Sequence, residues 1–173
     1  MFMRVAKSVG AVLAVSAGIV LPGVGALASA KSVPSCTPSQ IAVSKGAAQG
    51  TAGTTYYPII FTNTGGACRL FGVPVIQPVT GPKHTPVGPA ARNMSMGQMP
   101  AIHTIAKGQS VSVGFGVTDT GNYPPSCKAH NAQGVTVLMG SFVKKTYVKM
   151  SISVCTAHSS TTTKLITAGK NGY

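Results

Sequence analysis

The chain alternates short apolar and β-branched runs with turns rich in glycine and proline, a pattern that predicts strands. The clearest alternation puts Val111, Val113, Phe115 and Val117 on one side of a half-buried strand, with small or polar residues between them. Further strands are predicted over residues 40–45, 54–62, 134–140, 147–154 and 162–167. Short strands with turn signals at intervals of roughly ten residues favour an all-β fold, an antiparallel β-sandwich.

Prolines indicate where the predicted strands are interrupted or lie at an edge, because proline cannot donate a hydrogen bond to a strand ladder. Pro58 falls inside the strand predicted over 54–62 and indicates an edge or a bulge there. Two prolines lie in 69–79, which is therefore expected to be extended but not a central strand. Glycines and prolines recur through 80–100, which is expected to be the least structured part.

Residues 1–30 have the composition of a secretory signal peptide. Basic residues near the start precede an apolar run, and the small residues at 28–30 form a cleavage site. A retained membrane anchor is the alternative, because the run approaches the roughly 20 residues that span a bilayer, but a proline and several glycines disfavour it. We expect a helical signal peptide over 1–30, no membrane span after its removal, and one secreted domain over 31–173 with its core at about 36–167.

Four cysteines follow the leader: Cys36, Cys68, Cys127 and Cys155. An even number of cysteines in an exported chain predicts disulfides, and four cysteines allow three different pairings. If consecutive cysteines pair, each bridge closes a loop of about 30 residues and would stabilise the domain by roughly 3–4 kcal/mol.

The charge of the chain is strongly positive, with 14 basic residues, one acid and a formal net charge of +13. The acid, Asp119, is expected in an Asx-type turn. A positive surface attracts anions, so an anionic cell-wall polymer or an envelope protein is a candidate partner. Lys144, Lys145 and Lys149 approach a cluster and are the candidate anion-binding residues. The alternative is that the charge only keeps the protein soluble.

No specific nucleic-acid binding is expected, because the aromatic residues of 54–62 belong to a predicted core strand.

Several motifs carry a family likeness. After an early cysteine, the sequence TNTGG at 62–66 is followed by CRLFGVPV at 68–75, and KGQS at 107–110 precedes a strand. With the two later cysteines, this arrangement resembles a secreted actinobacterial family, the domain of unknown function 4232. The likeness covers about residues 36–155.

The resemblance implies an immunoglobulin-like sandwich that is exported and often wall-associated. It also implies that Cys36 pairs with Cys68 and that Cys127 pairs with Cys155. No established activity comes with it, so function has to be argued from the residues.

An enzyme is not expected. One carboxylate side chain excludes catalysis by paired carboxylates and cannot build the carboxylate-rich sites of calcium or magnesium. No Gly-x-Ser-x-Gly motif is present, and cysteines held in bridges cannot act as nucleophiles. The four histidines have no spacing typical of a zinc site.

Methionines cluster in one loop, where Met94, Met96 and Met99 precede His103. Thioether and imidazole ligands suit Cu(I), whereas the alternative is that the methionines fill irregular gaps in the packing.

The leading interpretation is a secreted, non-enzymatic envelope protein without a cofactor that binds an anionic or protein partner weakly. The alternative is an exported Cu(I)-binding protein that uses the methionine loop.

Overall fold

The computed structural model describes residues 32–140 and 142–172, and the predicted signal peptide at 1–30 lies outside this part. Strands dominate the described residues, with short 3-10 turns at Pro38–Gln40, Thr120–Asn122 and Pro125–Cys127. The strands are β1 (Ile41–Lys45), β2 (Gln49–Thr51), β3 (Thr54–Asn63), β4 (Cys68–Leu70), β5 (Val75–Thr80), β6 (Thr85–Pro86), β7 (Arg92–Asn93), β8 (His103–Ile105), β9 (Ser110–Thr118), β10 (Ala129–Leu138), β11 (Thr146–Cys155), β12 (Thr161–Thr163) and β13 (Thr167–Ala168).

The strands form two main sheets, as expected for a β-sandwich. Sheet one has the order β1-β3-β9-β12-β7, with β2 also paired to β3 and β13 also paired to β9. Sheet two has the order β11-β10-β5-β6, and β4 pairs with β8 in a small separate sheet. The described strand pairs are antiparallel except β12 with β7. The all-β immunoglobulin-like architecture predicted from the sequence is confirmed.

The core contains apolar side chains from both main sheets. From sheet one, Phe61 on β3 and Phe115 on β9 are fully buried. From sheet two, Val135 on β10 and alternate residues of β11, such as Met150, join the same cluster. Because successive side chains of a strand point to opposite faces, the intervening residues of β11, including Lys149, face outward.

The strand β9 is buried more completely than the sequence predicts. The alternating residues from Val111 to Val117 face the core as expected, but the small residues between them are buried as well. The C-terminal segment covers this second face, where the Gly172 amide donates to the Ser112 hydroxyl at 2.8 Å. A half-buried strand was therefore the wrong expectation, since alternation reports only the face that packs on the core.

Prolines lie inside two of the paired strands, β3 and β5. Pro58 lies in β3 between the residues that pair with β1 and those that pair with β2, so its missing N–H interrupts neither ladder. The expected edge strand or bulge is not found, because β3 lies between β1 and β9 and its register with β9 is continuous through Pro58. The segment 69–79 was expected not to supply a central strand, and β5 lies between β10 and β6. Its proline, Pro78, is tolerated because β6 has only two residues and pairs with Val79 and Thr80.

Both disulfides have the pairing that the family likeness implies. Cys36 is joined to Cys68 and Cys127 to Cys155, with Cα–Cα distances of 4.8 Å in each case. The first bridge fixes the entry segment beside β4, where the Cys36 amide also donates to the Arg69 carbonyl. The second fixes the end of β11. None of the helical turns among the described residues has the length and apolarity needed to span a membrane.

Candidate functional site

The three predicted anion-binding lysines lie along one edge of sheet two. Lys144 and Lys145 end the loop that leads into β11, and Lys149 is the fourth residue of that strand. All three side chains are exposed, and exposed Tyr147 lies between them in sequence. We call Lys144, Lys145, Tyr147 and Lys149 the lysine surface. β-strand alternation puts Tyr147 and Lys149 on the same outward face, because Val148 and Met150 point into the core.

Two surface cavities meet at Tyr147. The first, of about 470 Å³, combines two residues of the entry segment with the start of β11; it is lined by Pro38, Ser39, Lys144, Lys145, Thr146 and Tyr147. The second, of about 360 Å³, lies farther along the strand and is lined by Gln133, Tyr147, Lys149, Met150 and Ser151. The aromatic ring therefore separates two shallow depressions, each of which carries lysine.

The ring of Tyr147 is fixed by contacts that the sequence analysis missed. It stacks on the imidazole of His84, with ring centroids 4.2 Å apart and planes inclined by 9°. Its hydroxyl donates to the Gln133 carbonyl at 3.0 Å. Gly134 lies beneath the ring, and a side chain there would overlap it. The one sequence signal was Gly134 itself, since a glycine inside a strand can mark a close approach by another group.

The acid of the chain lies at a different cavity. Asp119 accepts a hydrogen bond from the Gly121 amide at 2.9 Å, which confirms the predicted Asx-type turn. It helps line a cavity of about 450 Å³ formed mainly by residues of β2, β3 and β9. No described carboxylate side chain therefore lines either cavity of the lysine surface.

The methionine loop is held at both of its ends by one segment of the chain. The Met94 amide donates to the Thr163 carbonyl at 2.8 Å, and the Leu165 amide donates to the Ser95 hydroxyl at 3.0 Å. At the other end, His103 Nε2 contacts the Ile166 carbonyl at 3.2 Å. Met96 and Met99 are 83% and 92% exposed, so they fill no gap in the core.

The hydrogen bond of His103 indicates which ring nitrogen carries a proton. A carbonyl oxygen can only accept, so Nε2 must carry the proton, and in the neutral imidazole Nδ1 then presents its lone pair. Imidazoles that bind metals are oriented in this way by a carbonyl or carboxylate partner.

One further cluster contains soft ligand types. The sulfurs of Cys127 and Cys155 and a ring nitrogen of His158 lie within 4.8 Å of one another. The two sulfurs are bonded to each other, so the oxidised protein offers no thiolate here. The His158 ring is tilted against Tyr123, with centroids 4.9 Å apart, and acts as a packing group beside the bridge.

A family model described as Domain of unknown function (DUF4232) matches residues 36–168. The match begins at Cys36 and extends beyond Cys155, so it includes both disulfides and most of the chain. The chain belongs to this family. The search of curated proteins and the search of solved structures found no match.

Membership in the DUF4232 family confirms the likeness seen in the motifs at 62–66 and 68–75. The matched range also contains the lysine surface and the methionine loop. The family's description assigns no activity to the domain, so the function of this DUF4232 protein has to be argued from the geometry of these two sites.

Proposed function

We propose that this protein is an exported, non-enzymatic module of the cell envelope that binds an anionic polymer through the lysine surface. The observation that carries the proposal is the position of Lys144, Lys145 and Lys149 around the fixed ring of Tyr147. Three ammonium groups beside two depressions attract phosphate or carboxylate groups, and no described carboxylate side chain in either depression competes for them. A protein partner with an acidic surface is the alternative occupant.

The geometry suits a flexible polymer better than a small ligand. Both depressions are open to solvent, and the lysines point from an exposed strand and an adjoining loop. Contacts of this kind are weak one at a time, screened over roughly 8 Å at physiological salt, and effective when several act together. Stacking on His84 holds the Tyr147 ring in place between the two depressions.

Retention of the mature protein on isolated cell walls tests the proposal. We expect retention at low salt and release as salt is raised. A Lys144→Ala/Lys145→Ala/Lys149→Ala variant should elute at a clearly lower salt concentration, because it lacks the charges of the proposed site.

The matched control is Arg92→Ala/Lys107→Ala/Lys170→Ala, which removes the same number of positive charges from exposed positions outside sheet two. This control should elute at nearly the same salt concentration as the wild type. Equal losses in both triple variants would mean that net charge alone causes retention, and the lysine surface would then not be the site.

A second candidate function rests on the methionine loop, for which we propose Cu(I) binding by Met94, Met96, Met99 and His103. The exposed thioethers and the free Nδ1 lone pair of His103 support it, since both are ligand types that Cu(I) accepts. Cu(I) added with a competing chelator should bind to the mature protein with one equivalent per chain. A triple Met→Leu variant at 94, 96 and 99 should lose this binding, whereas Met150→Leu in the core should retain it. Equal affinity in both variants would exclude the loop as the copper site.

A further inference from the structure

Arg69 combines a fixed backbone with an unpaired side chain. Its amide donates to the Pro34 carbonyl at 2.8 Å, and its own carbonyl accepts from the Cys36 amide at 3.0 Å. The disulfide of Cys36 with the preceding residue, Cys68, anchors the same point. The guanidinium Nε is nevertheless buried and has no hydrogen-bond partner among the described residues. A buried donor on a charged group is normally paired, so this atom calls for an acceptor.

A cavity of about 190 Å³ adjoins this residue. Its walls are mainly apolar, and it is lined by Ser35, Arg69, Leu70, Phe71, Met139 and Gly140. Met139 is only 1% exposed and is part of the core, whereas Phe71 is 49% exposed. The cavity thus has one cationic residue beside a wall of apolar side chains, part of which is shielded from water.

No described residue supplies an acceptor for Arg69 Nε. Asp119, the one acid in the sequence, accepts from its own turn and lines a different cavity. We propose that this cavity binds a carboxylate that carries a small apolar group. The planar guanidinium pairs with the two carboxylate oxygens side by side, and the apolar group lies against Phe71 and Met139. Nε has no accessible surface in this structure, so a ligand in the cavity would reach it only after the side chain turns; no hydrogen bond at Nε opposes that turn.

The size and walls of the cavity limit the ligand. A volume of about 190 Å³ corresponds to roughly six water molecules, so the apolar group is about the size of a phenyl or isobutyl group. Phosphate and sulfate fit poorly, because their remaining charged oxygens would face apolar side chains. Two sources share the required chemistry, namely a free apolar acid and the terminal carboxylate of a peptide that ends in an apolar residue. The proposal does not depend on the lysine surface, whose residues do not line this cavity.

NMR of the methionine methyl groups tests the proposal directly. Met139 lines the cavity and reports binding, whereas Met150 packs in the core away from it and serves as the internal control. Phenylacetate and N-acetyl-leucine are the two probes, one for each source. At least one of them should shift the Met139 signal in a saturable way, while phenylacetamide and inorganic phosphate should not. The probe whose effect on the Met139 signal saturates identifies the source of the carboxylate. Equal effects of phenylacetate and phenylacetamide on the wild-type protein would overturn the proposal without any variant.

Variants then assign the effect to Arg69. Arg69→Gln should weaken binding about tenfold or more, as expected for loss of a hydrogen bond to a charged group. Arg69→Lys keeps the charge but loses the paired donors, and should also weaken binding. Arg92→Gln changes the exposed arginine of β7 and should leave the affinity unchanged. Binding that survives in folded Arg69→Gln protein, with both disulfides intact, would contradict the assignment.

Discussion

Asn63 at the end of β3 shows how one side chain can organise a turn. Its side chain is fully buried, and its Nδ2 donates to the Gly66 and Ile105 carbonyls, each at 2.8 Å. Its Oδ1 accepts from the Gly65 amide at 2.9 Å. The Asn-Thr-Gly-Gly sequence at 63–66, one of the motifs of the family likeness, therefore has a physical reason, since the Asn63 amide joins the turn to β8.

We expect Asn63→Ala to destabilise the domain by about 3 kcal/mol. Alanine fills less volume and leaves the buried Ile105 carbonyl without its donor, and unpaired buried groups are among the most destabilising changes. Urea unfolding followed by circular dichroism measures the effect. Asn131→Ala on the exposed part of β10 is the control and should change stability by less than about 0.5 kcal/mol. Similar midpoints for the two variants would contradict this role of Asn63.

At Arg69, in contrast, we expect a substitution to stabilise the domain. A buried donor without an acceptor destabilises the folded state, so Arg69→Met, whose side chain reaches as far as Nε and has no polar hydrogen, should raise the free energy of unfolding by about 1 kcal/mol. Arg92→Met, at an exposed position, should have little effect. Thermal unfolding of the ligand-free proteins provides the comparison. A lower stability for Arg69→Met would mean that the guanidinium supports the fold rather than a ligand.

At the scale of elements, the hairpin of β10 and β11 depends on Gly134. Lys149 lies opposite this glycine in the strand register, and the Tyr147 ring covers it. Gly134→Ala should displace the ring, break its stacking on His84 and destabilise the domain by about 1 kcal/mol. The measurement is the loss of cross-peaks between the two rings in a nuclear Overhauser spectrum. Gly50→Ala in β2, where a side chain meets open space, is the matched control. Retained cross-peaks in Gly134→Ala would show that the ring is held by other contacts.

The sequence predicts those elements whose pattern is local. The alternation around Val111 and Phe115 predicts β9, and the mixed apolar segments predict β3, β10 and β11. The two-residue strands β6 and β7 could not be predicted, because they exist only through pairing with β5 and β12. The predicted last strand over 162–167 is instead divided into β12 and β13, with buried Ile166 between them. Strand pairing over long sequence distances decides these cases.

At the scale of the molecule, the sequence could suggest which residues form the candidate sites but not how those sites are built. It placed Lys144, Lys145 and Lys149 together because they are close in sequence, and the structure adds the stacked ring of Tyr147 between them. It gave no indication of the cavity at Arg69, which brings the entry segment, β4 and the end of β10 together. Contacts between residues remote in sequence leave no periodic signal, so such sites become visible only in the folded chain.

The scarcity of acids gives the whole molecule an unusual expected response to pH. Acid unfolding is driven mainly by carboxylates that bind protons more readily in the unfolded state than in the folded state. Under that condition the free energy of unfolding falls as pH falls. The chain has one acidic side chain, Asp119, so this contribution is nearly absent.

We therefore expect the free energy of unfolding to change by less than about 1 kcal/mol between pH 7 and pH 4, apart from any contribution of the four histidines. Thermal unfolding of the mature, disulfide-bonded protein at constant ionic strength measures this, since added salt screens the repulsion among the basic residues. Replacing the histidines with glutamine removes their contribution and should leave a melting temperature that is flat across the window. A steep decrease centred near pH 4 in that histidine-free protein would contradict the prediction, because one aspartate could not account for it.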